Sequence, residues 1–210
     1  MNSVYQNAVI DLLRHGEVAG EKGLYGFADV AVSERGWQQM QLATNIDLQY
    51  QQVISSPLQR CLRFAKEFCR RRDLNLSIHS ELKEMNFGLW DGLSFDQLAP
   101  EWSQLEAFWA SPFDVTPPQG EPLATFHDRV GIAWQKLLLD CKNTHTLVVC
   151  HAGVIRMILA ELLHVDWKAA DFYQRLRIDY GSVTRIQVLY APDGQSFPQI
   201  RFIGRPNPMI

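Results

Sequence analysis

Ala8-Val9-Ile10-Asp11-Leu12-Leu13-Arg14-His15-Gly16 is a short apolar run, broken only by Asp11, that stops abruptly at Arg-His-Gly. Its length and its Val/Ile content predict a buried strand over 8–13 rather than a helix. Thr146-Leu147-Val148-Val149-Cys150-His151-Ala152-Gly153 repeats the pattern: a clear strand over 146–149, then a histidine, then a glycine. Working outward, Gly20 to Gly26 is a loop, and Ser33 is placed to cap a helix from Glu34 to about Ile46. Val53-Ile54-Ser55 reads as a second strand. Ser56 as N-cap and Pro57 at the first helical position then open a helix to about Arg71. That helix carries Leu58, Cys61, Leu62, Ala65, Phe68 and Cys69 on one face. Leu76–Ile78 is a third strand, Glu84 to Gly92 is irregular, and Ser94 to Ser111 is expected to be helical. Pro112 to Pro122 holds four of the ten prolines and reads as a loop. Helices are expected from Thr125 to Cys141 and from Val154 to about His164. Two or three strands should follow between Arg175 and Ile203, with Asp193-Gly194 as a hairpin turn.

Strands alternating with helices predict an α/β fold, a three-layer α/β/α sandwich around a mostly parallel sheet. Strand-like segments lie on both sides of the proline-rich stretch. One domain over 1–210 is therefore expected, with a small helical cap at about 85–122. The composition suits a folded globular chain: 210 residues, 47% apolar, 11% aromatic and 20% charged. A formal net charge of −3 argues against general binding to nucleic acid or to an anionic membrane. Fourteen of the 20 basic residues are Arg, the side chain that grips phosphate or carboxylate bidentately, which hints at an anion-handling site. Cys61, Cys69, Cys141 and Cys150 show neither a CxxC pair nor zinc-type spacing. No segment approaches the roughly 18 apolar residues of a membrane span. With no signal-like N-terminus, a cytoplasmic protein with reduced thiols is the simplest expectation.

In an open α/β sheet the ligand crevice lies beyond the carboxyl ends of the strands. Two strand ends here finish on His15 and His151, the first preceded by Arg14. A metal site is not expected, because the nearby acids, Asp11 and Glu17, are too few for a ligand cage. Arg60 falls in the first turn of its helix, where the macrodipole disfavours a cation; something negative is expected in front of it, a bound anion or a nearby carboxylate. Glu84 opens the segment EMNFGLWDG; taken alone it reads as a solvated surface acid, and the alternative is a carboxyl whose proton is held near neutrality by surrounding aromatic side chains. Together these groups suit phosphoryl transfer. A neutral imidazole attacks phosphorus, guanidinium groups neutralise the equatorial oxygens, and a carboxylic acid protonates the departing alkoxide.

Leu13-Arg14-His15-Gly16-Glu17 resembles the RHG signature of the histidine phosphatase superfamily, in its phosphoglycerate mutase-like branch. Ser55 to Arg60 resembles its SSPLxR segment, and His151-Ala152-Gly153 its HxG. Glu84 with Phe87 to Gly92 resembles its acid and FGxWEG, and Gln119-Gly120-Glu121 its P-x-G-E turn. The matches run in family order from residue 13 to 153. The resemblance implies a phosphoglycerate mutase-like fold, with His15 as phosphorylated nucleophile and Glu84 as proton donor and then base. Arg14, Arg60 and His151 would bind the phosphoryl group, and no metal or organic cofactor is implied. The family's Thr and Asn after RHG are Val18 and Glu21 here, so the amides of the Gly-rich loop are expected to take over. The compact middle segment favours a phosphatase over a mutase. The stretch from Arg14 to Met40, with Gly36-Trp37-Gln38-Gln39-Met40, is similar to the alpha-ribazole phosphatases of cobalamin assembly. This implies a small phosphate ester, alpha-ribazole 5′-phosphate or adenosylcobalamin 5′-phosphate, as substrate. Tyr25, Phe27, Trp102, Phe108 and Trp109 are candidates for the wall against its base, with Tyr25 named as a substrate-binding residue. A sugar-phosphate phosphatase is the competing expectation, with a phosphoglycerate mutase or a non-catalytic phosphate-binding module behind it. Oligomeric state is not predicted.

Overall fold

The computed structural model describes residues 5–45 and 49–205. A six-stranded sheet carries the order β3-β2-β4-β1-β5-β6, built from β1 (Gln6–Arg14), β2 (Gln52–Ser55), β3 (Asn75–Ile78), β4 (His145–Cys150), β5 (Val183–Tyr190) and β6 (Ser196–Arg205). β1, β4, β2 and β3 are mutually parallel; β5 runs antiparallel to β1 and β6 antiparallel to β5. The helices are α1 (Glu34–Thr44), α2 (Gln59–Arg72), α3 (Trp102–Ala110), α4 (Leu123–Asp140), α5 (Ala152–Leu163) and α6 (Ala170–Arg175). The result is the expected α/β/α sandwich.

The pleat sorts β1 between the two helical layers. Ala8, Ile10 and Leu12 join the core under α4 and α5, and Leu13 joins the core under α1 and α2. Ile54 and Val148 face the first core, while Val53, Leu147 and Val149 face the second. Asp11, which breaks the apolar run, is wholly buried. Arg185 Nε and Nη2 each donate to it at 2.7 Å, Tyr50 Oη at 2.8 Å, and His145 Nε2 lies at 3.0 Å.

Several boundaries differ from the sequence reading. α2 starts at Gln59, not Pro57, and has no side-chain cap from Leu58. Asp29 Oδ1 instead accepts from the Gln59 N–H at 2.6 Å, so a remote carboxylate supplies the negative group at this helix start. The segment expected to be helical from Ser94 is turn and 3-10 helix until α3 begins at Trp102. α5 starts two residues early, at Ala152, and α6 was not anticipated. The expected end of α1 at Ile46 lies outside the described residues. The hairpin falls where Asp193-Gly194 predicts it, with Gly194 at φ +91°. Gly36, an odd residue inside α1, has a packing cause. A Cβ there would meet the Glu17 carbonyl oxygen at 2.1 Å, and one on Gly16 the Gly36 oxygen at 1.9 Å. The backbones leaving β1 and entering α1 are therefore in direct contact. No helix among the described residues is long and apolar enough to cross a membrane.

Candidate active site

β1 and β4 are neighbours in the sheet with Arg14 opposite Cys150, so the residues that follow them are forced together. The His15 N–H donates to the Cys150 carbonyl at 3.0 Å, and the His15 and His151 rings meet edge-on with centroids 5.1 Å apart. His15 is almost wholly buried. Its Nδ1 lies 2.8 Å from the Gly16 carbonyl oxygen. A carbonyl only accepts, so Nδ1 carries the proton and the lone pair is on Nε2, which has no protein partner among the described residues. Burial, then the charges of Arg14 and Arg60, hold the His15 pKa well below the usual histidine value. The imidazole is therefore neutral at physiological pH, with a free nucleophilic nitrogen.

His151 has the opposite tautomer. Arg60 Nε, which can only donate, points at its Nδ1 at 3.3 Å, so the proton lies on Nε2, 2.8 Å from Ser56 Oγ. Ser56, read from sequence as a helix cap, thus serves His151 and only weakly meets the Leu58 N–H at 3.4 Å. Burial, with Arg60 foremost among the neighbouring charges, lowers the His151 pKa strongly as well.

Arg60 is fully buried. Its Nη1 donates to the Ala28 carbonyl at 2.8 Å, and its Nη2 to those of Tyr25 and Gly26 at 3.0 and 2.6 Å. With Nε on His151, four of its five N–H groups are committed within the protein, leaving one on Nη1. The loop that holds it is clamped from its other side by Asp91, which accepts from the amides of Gly26, Phe27 and Ala28 at 2.9, 2.6 and 2.9 Å. Within the Gly-rich loop, Asp91 therefore takes the Gly26 amide and the Leu93 carbonyl takes that of Leu24 at 3.1 Å, so these two do not face an anion. Val18 is buried and bridges Val32, and Glu21 is exposed. Tyr25 turns its hydroxyl onto the Glu21 carbonyl at 2.7 Å.

Arg14 is held differently. Nη1 donates to the Ile178 carbonyl at 2.5 Å, and the guanidinium carbon lies over the Tyr180 ring, 3.7 Å from its centroid. Its Nε is buried with no hydrogen-bond partner. Leaving such a donor unmade costs about 1–3 kcal/mol, which an incoming oxygen would relieve.

Glu84 sits at the start of α5. Its Oε2 accepts from the Gly153 N–H at 3.0 Å and its Oε1 from the Met85 N–H at 3.1 Å. Both Arg14 and Arg156 feel its charge. The carboxyl is thus held by its neighbour's amide and by one in the first turn of α5, a positive helix end, as well as standing beside aromatic side chains. Gly153 permits the contact, because a Cβ there would lie 2.2 Å from Glu84 Oε1 and 3.1 Å from the Phe126 ring. Gly153→Ala is accordingly expected to displace the carboxyl and lower kcat by about 10²-fold while the melting temperature moves little. Parallel kinetics and thermal denaturation check both halves of that expectation.

Beside Glu84 opens a cavity of about 280 Å³ lined by Phe87, Phe108, Trp109, Phe126 and Tyr173, with Arg156 in its wall. Phe108 and Trp109 stand where the sequence reading wanted aromatics. Trp102 packs edge-on against Phe95 and Trp109, and Phe27 lies under Lys83 and Arg129; neither lines this cavity, nor does Tyr25. Asp91, Glu121, Arg129, Arg156 and Tyr180 were not singled out as site residues. Asp91 and Glu121 lie inside the FGxWEG-like and P-x-G-E-like segments, which was the one available signal for them. Among the described residues no group of three or more His, Cys, Asp or Glu is gathered to hold a metal ion.

The sequence profile of the histidine phosphatase superfamily (branch 1) matches residues 10–198. A bifunctional protein of Mycobacterium tuberculosis is 32% identical over 190 residues, covering 88% of this chain but 51% of that protein. The chain thus spans about half the length of that relative. An adenosylcobalamin/alpha-ribazole phosphatase of Salmonella typhimurium is 30% identical over 184 residues, covering 84% of this chain and 89% of the relative. The crystal structure of an alpha-ribazole phosphatase from Shigella flexneri superposes with a TM-score of 0.75 at 26% identity, covering 93% of this chain and 96% of that one.

Proposed function

The chain belongs to branch 1 of the histidine phosphatase superfamily, and from that premise we propose that it is a phosphomonoesterase working through a phosphohistidine at His15. The observation that carries the reading is the state of His15: neutral, its proton fixed on Nδ1, its Nε2 unpartnered, beside an Arg14 Nε that has no partner either. In the proposed reaction Nε2 bonds to phosphorus as the ester P–O bond breaks. Arg14 Nε and the remaining Arg60 Nη1 N–H meet the equatorial oxygens. His151 braces Arg60 and lies edge-on to the nucleophile. As proton donor, Glu84 delivers a proton to the departing oxygen, then takes one from the water that attacks phosphorus as the P–N bond of the phosphohistidine breaks.

The leaving group would occupy the aromatic cavity beside Glu84. Flat rings suit a base attached to a sugar, and the similarity to adenosylcobalamin/alpha-ribazole phosphatases supports alpha-ribazole 5′-phosphate or adenosylcobalamin 5′-phosphate as substrate. Arg156 favours a second reading, a phosphatase of more polar small esters. It spends only Nε on the Leu176 carbonyl, at 2.9 Å, and so keeps donors for a hydroxyl or carboxylate. The separating experiment is kcat/KM for alpha-ribazole 5′-phosphate beside a panel of sugar and nucleotide phosphates. The first reading predicts a preference of at least about tenfold for alpha-ribazole 5′-phosphate, worth about 1.4 kcal/mol of differential binding in the transition state. A flat profile rejects it.

A further inference from the structure

The segment around Glu84 has no strand or α-helix of its own: residues 84–87 are irregular, between two short 3-10 turns. What fixes it is a pair of side chains that touch no reacting group. Arg129, in α4, commits all five N–H donors. Nε and Nη2 meet the Glu121 carboxylate at 2.9 and 2.8 Å. Nη1 meets the carbonyls of Glu81 and Lys83, both at 2.8 Å, and Nη2 that of Glu84 at 3.2 Å. Glu121 completes the frame from the other side. Its Oε2 accepts from the Asn86 N–H at 3.2 Å, and its own N–H donates to the Asn86 carbonyl at 2.8 Å. The chain is therefore tied at 81, 83, 84 and 86, on both sides of the acid. The pair is largely shielded, with Arg129 and Glu121 side chains 19% and 10% exposed.

We propose that the Arg129–Glu121 pair is the positioning device for the proton donor, setting where the Glu84 carboxyl stands and hence how fast the leaving group departs. The proposal rests on the reading of Glu84 as that donor. Only a planar, five-donor guanidinium can hold a carboxylate bidentately and three carbonyls at once; an ammonium has three donors and no fork. Arg129→Lys should therefore keep the charge and lose the geometry.

The test is the leaving-group dependence of kcat/KM, which reports events up to release of the alcohol. An alkyl phosphomonoester needs the proton, whereas p-nitrophenyl phosphate expels a stable anion and does not. Arg129→Lys is expected to lose about 10²-fold on the alkyl ester, the scale of a 1 Å misplacement, and far less on p-nitrophenyl phosphate. Glu84→Gln should show the same discrimination more strongly. Equal losses on both esters, or none, in Arg129→Lys while Glu84→Gln discriminates would overturn the positioning role and leave the acid assignment standing. Absence of discrimination in Glu84→Gln would overturn the acid assignment itself. Should Arg129→Lys fail to fold by circular dichroism, Glu121→Gln, nearly isosteric, carries the same expectation, and equal losses on both esters there, or none, would overturn the positioning role in the same way.

Discussion

His15→Ala is expected to lower kcat on the order of 10⁴-fold or more, the scale on which removal of a covalent nucleophile acts, with little change in fold. The imidazole owes its reactivity to its surroundings. Its Nδ1 proton is tied to the Gly16 carbonyl and its ring is kept neutral first by burial and then by Arg14 and Arg60. Neither neighbour replaces the nitrogen that bonds to phosphorus. Because the His15 pKa is lowered, protonation of this residue does not switch the enzyme off near pH 6.5; an acidic fall in kcat/KM in that range would belong to another group or to the substrate. Single-turnover rates for wild type and variant, with circular dichroism spectra, check the pair of expectations.

Asp11→Ala should destabilise the fold by about 3 kcal/mol, near the lower end for breaking a buried ion pair. Asp11 has no exposure, while the Arg185 and His145 side chains keep 20% and 18% and can rehydrate once their partner is gone. For a chain of this size that corresponds to a fall in melting temperature of about 6–12 °C. The pH dependence carries its own sign. Burial raises the Asp11 pKa, but the hydrogen bonds from Arg185 and His145 and the charge of Arg185 outweigh it and leave it below 3.8. The unfolded chain then binds the extra proton first, so this contribution is present above about pH 4 and is lost as pH falls through the folded value. His15 and His151, lowered from 6.5, act in a higher window. Stability should already decline as pH drops below about 6.5, because unfolding lets both imidazoles take up a proton. Denaturant titrations between about pH 7 and pH 3 should show two successive losses in wild type, with the second diminished in Asp11→Ala, where the lowered carboxyls of Glu67 and Glu81 remain.

Local patterns made the sheet and the two histidines legible. A strand that ends on Arg14-His15-Gly16 and another that ends on Cys150-His151 announce a crevice, because strand ends are set by a few neighbouring residues. What escaped the sequence depends on partners far along the chain. Ser56 looked like a helix cap by local rule; His151, 95 positions away, takes its hydroxyl instead, and Asp29 caps the helix. The Gly-rich loop looked ready to offer its amides to an anion, yet Asp91, 65 positions on, takes the last of them, that of Gly26, together with the amides of Phe27 and Ala28 that follow. Arg129 gave no local sign at all, since its worth lies in meeting Glu121 and three carbonyls 45 to 48 positions back. The start of the Trp-rich segment failed for a nearer reason. The Ser94 Oγ accepts from the Gln97 N–H and the Gln97 Oε1 from the Ser94 N–H, a capping box that does start a turn. But Pro100 has no N–H to continue the ladder, and the chain passes through 3-10 helix over Ala99–Glu101 before α3 begins at Trp102.

The proposed mechanism turns on a covalent bond between His15 Nε2 and phosphorus. Rapid-quench of a single turnover with a phosphate ester labelled on phosphorus tests it most directly. The expected result is protein-bound label that appears before free phosphate, survives alkali, is lost in acid, and maps to the peptide containing His15. Release of labelled phosphate at the full single-turnover rate, with no label on the protein at any time point, would contradict it.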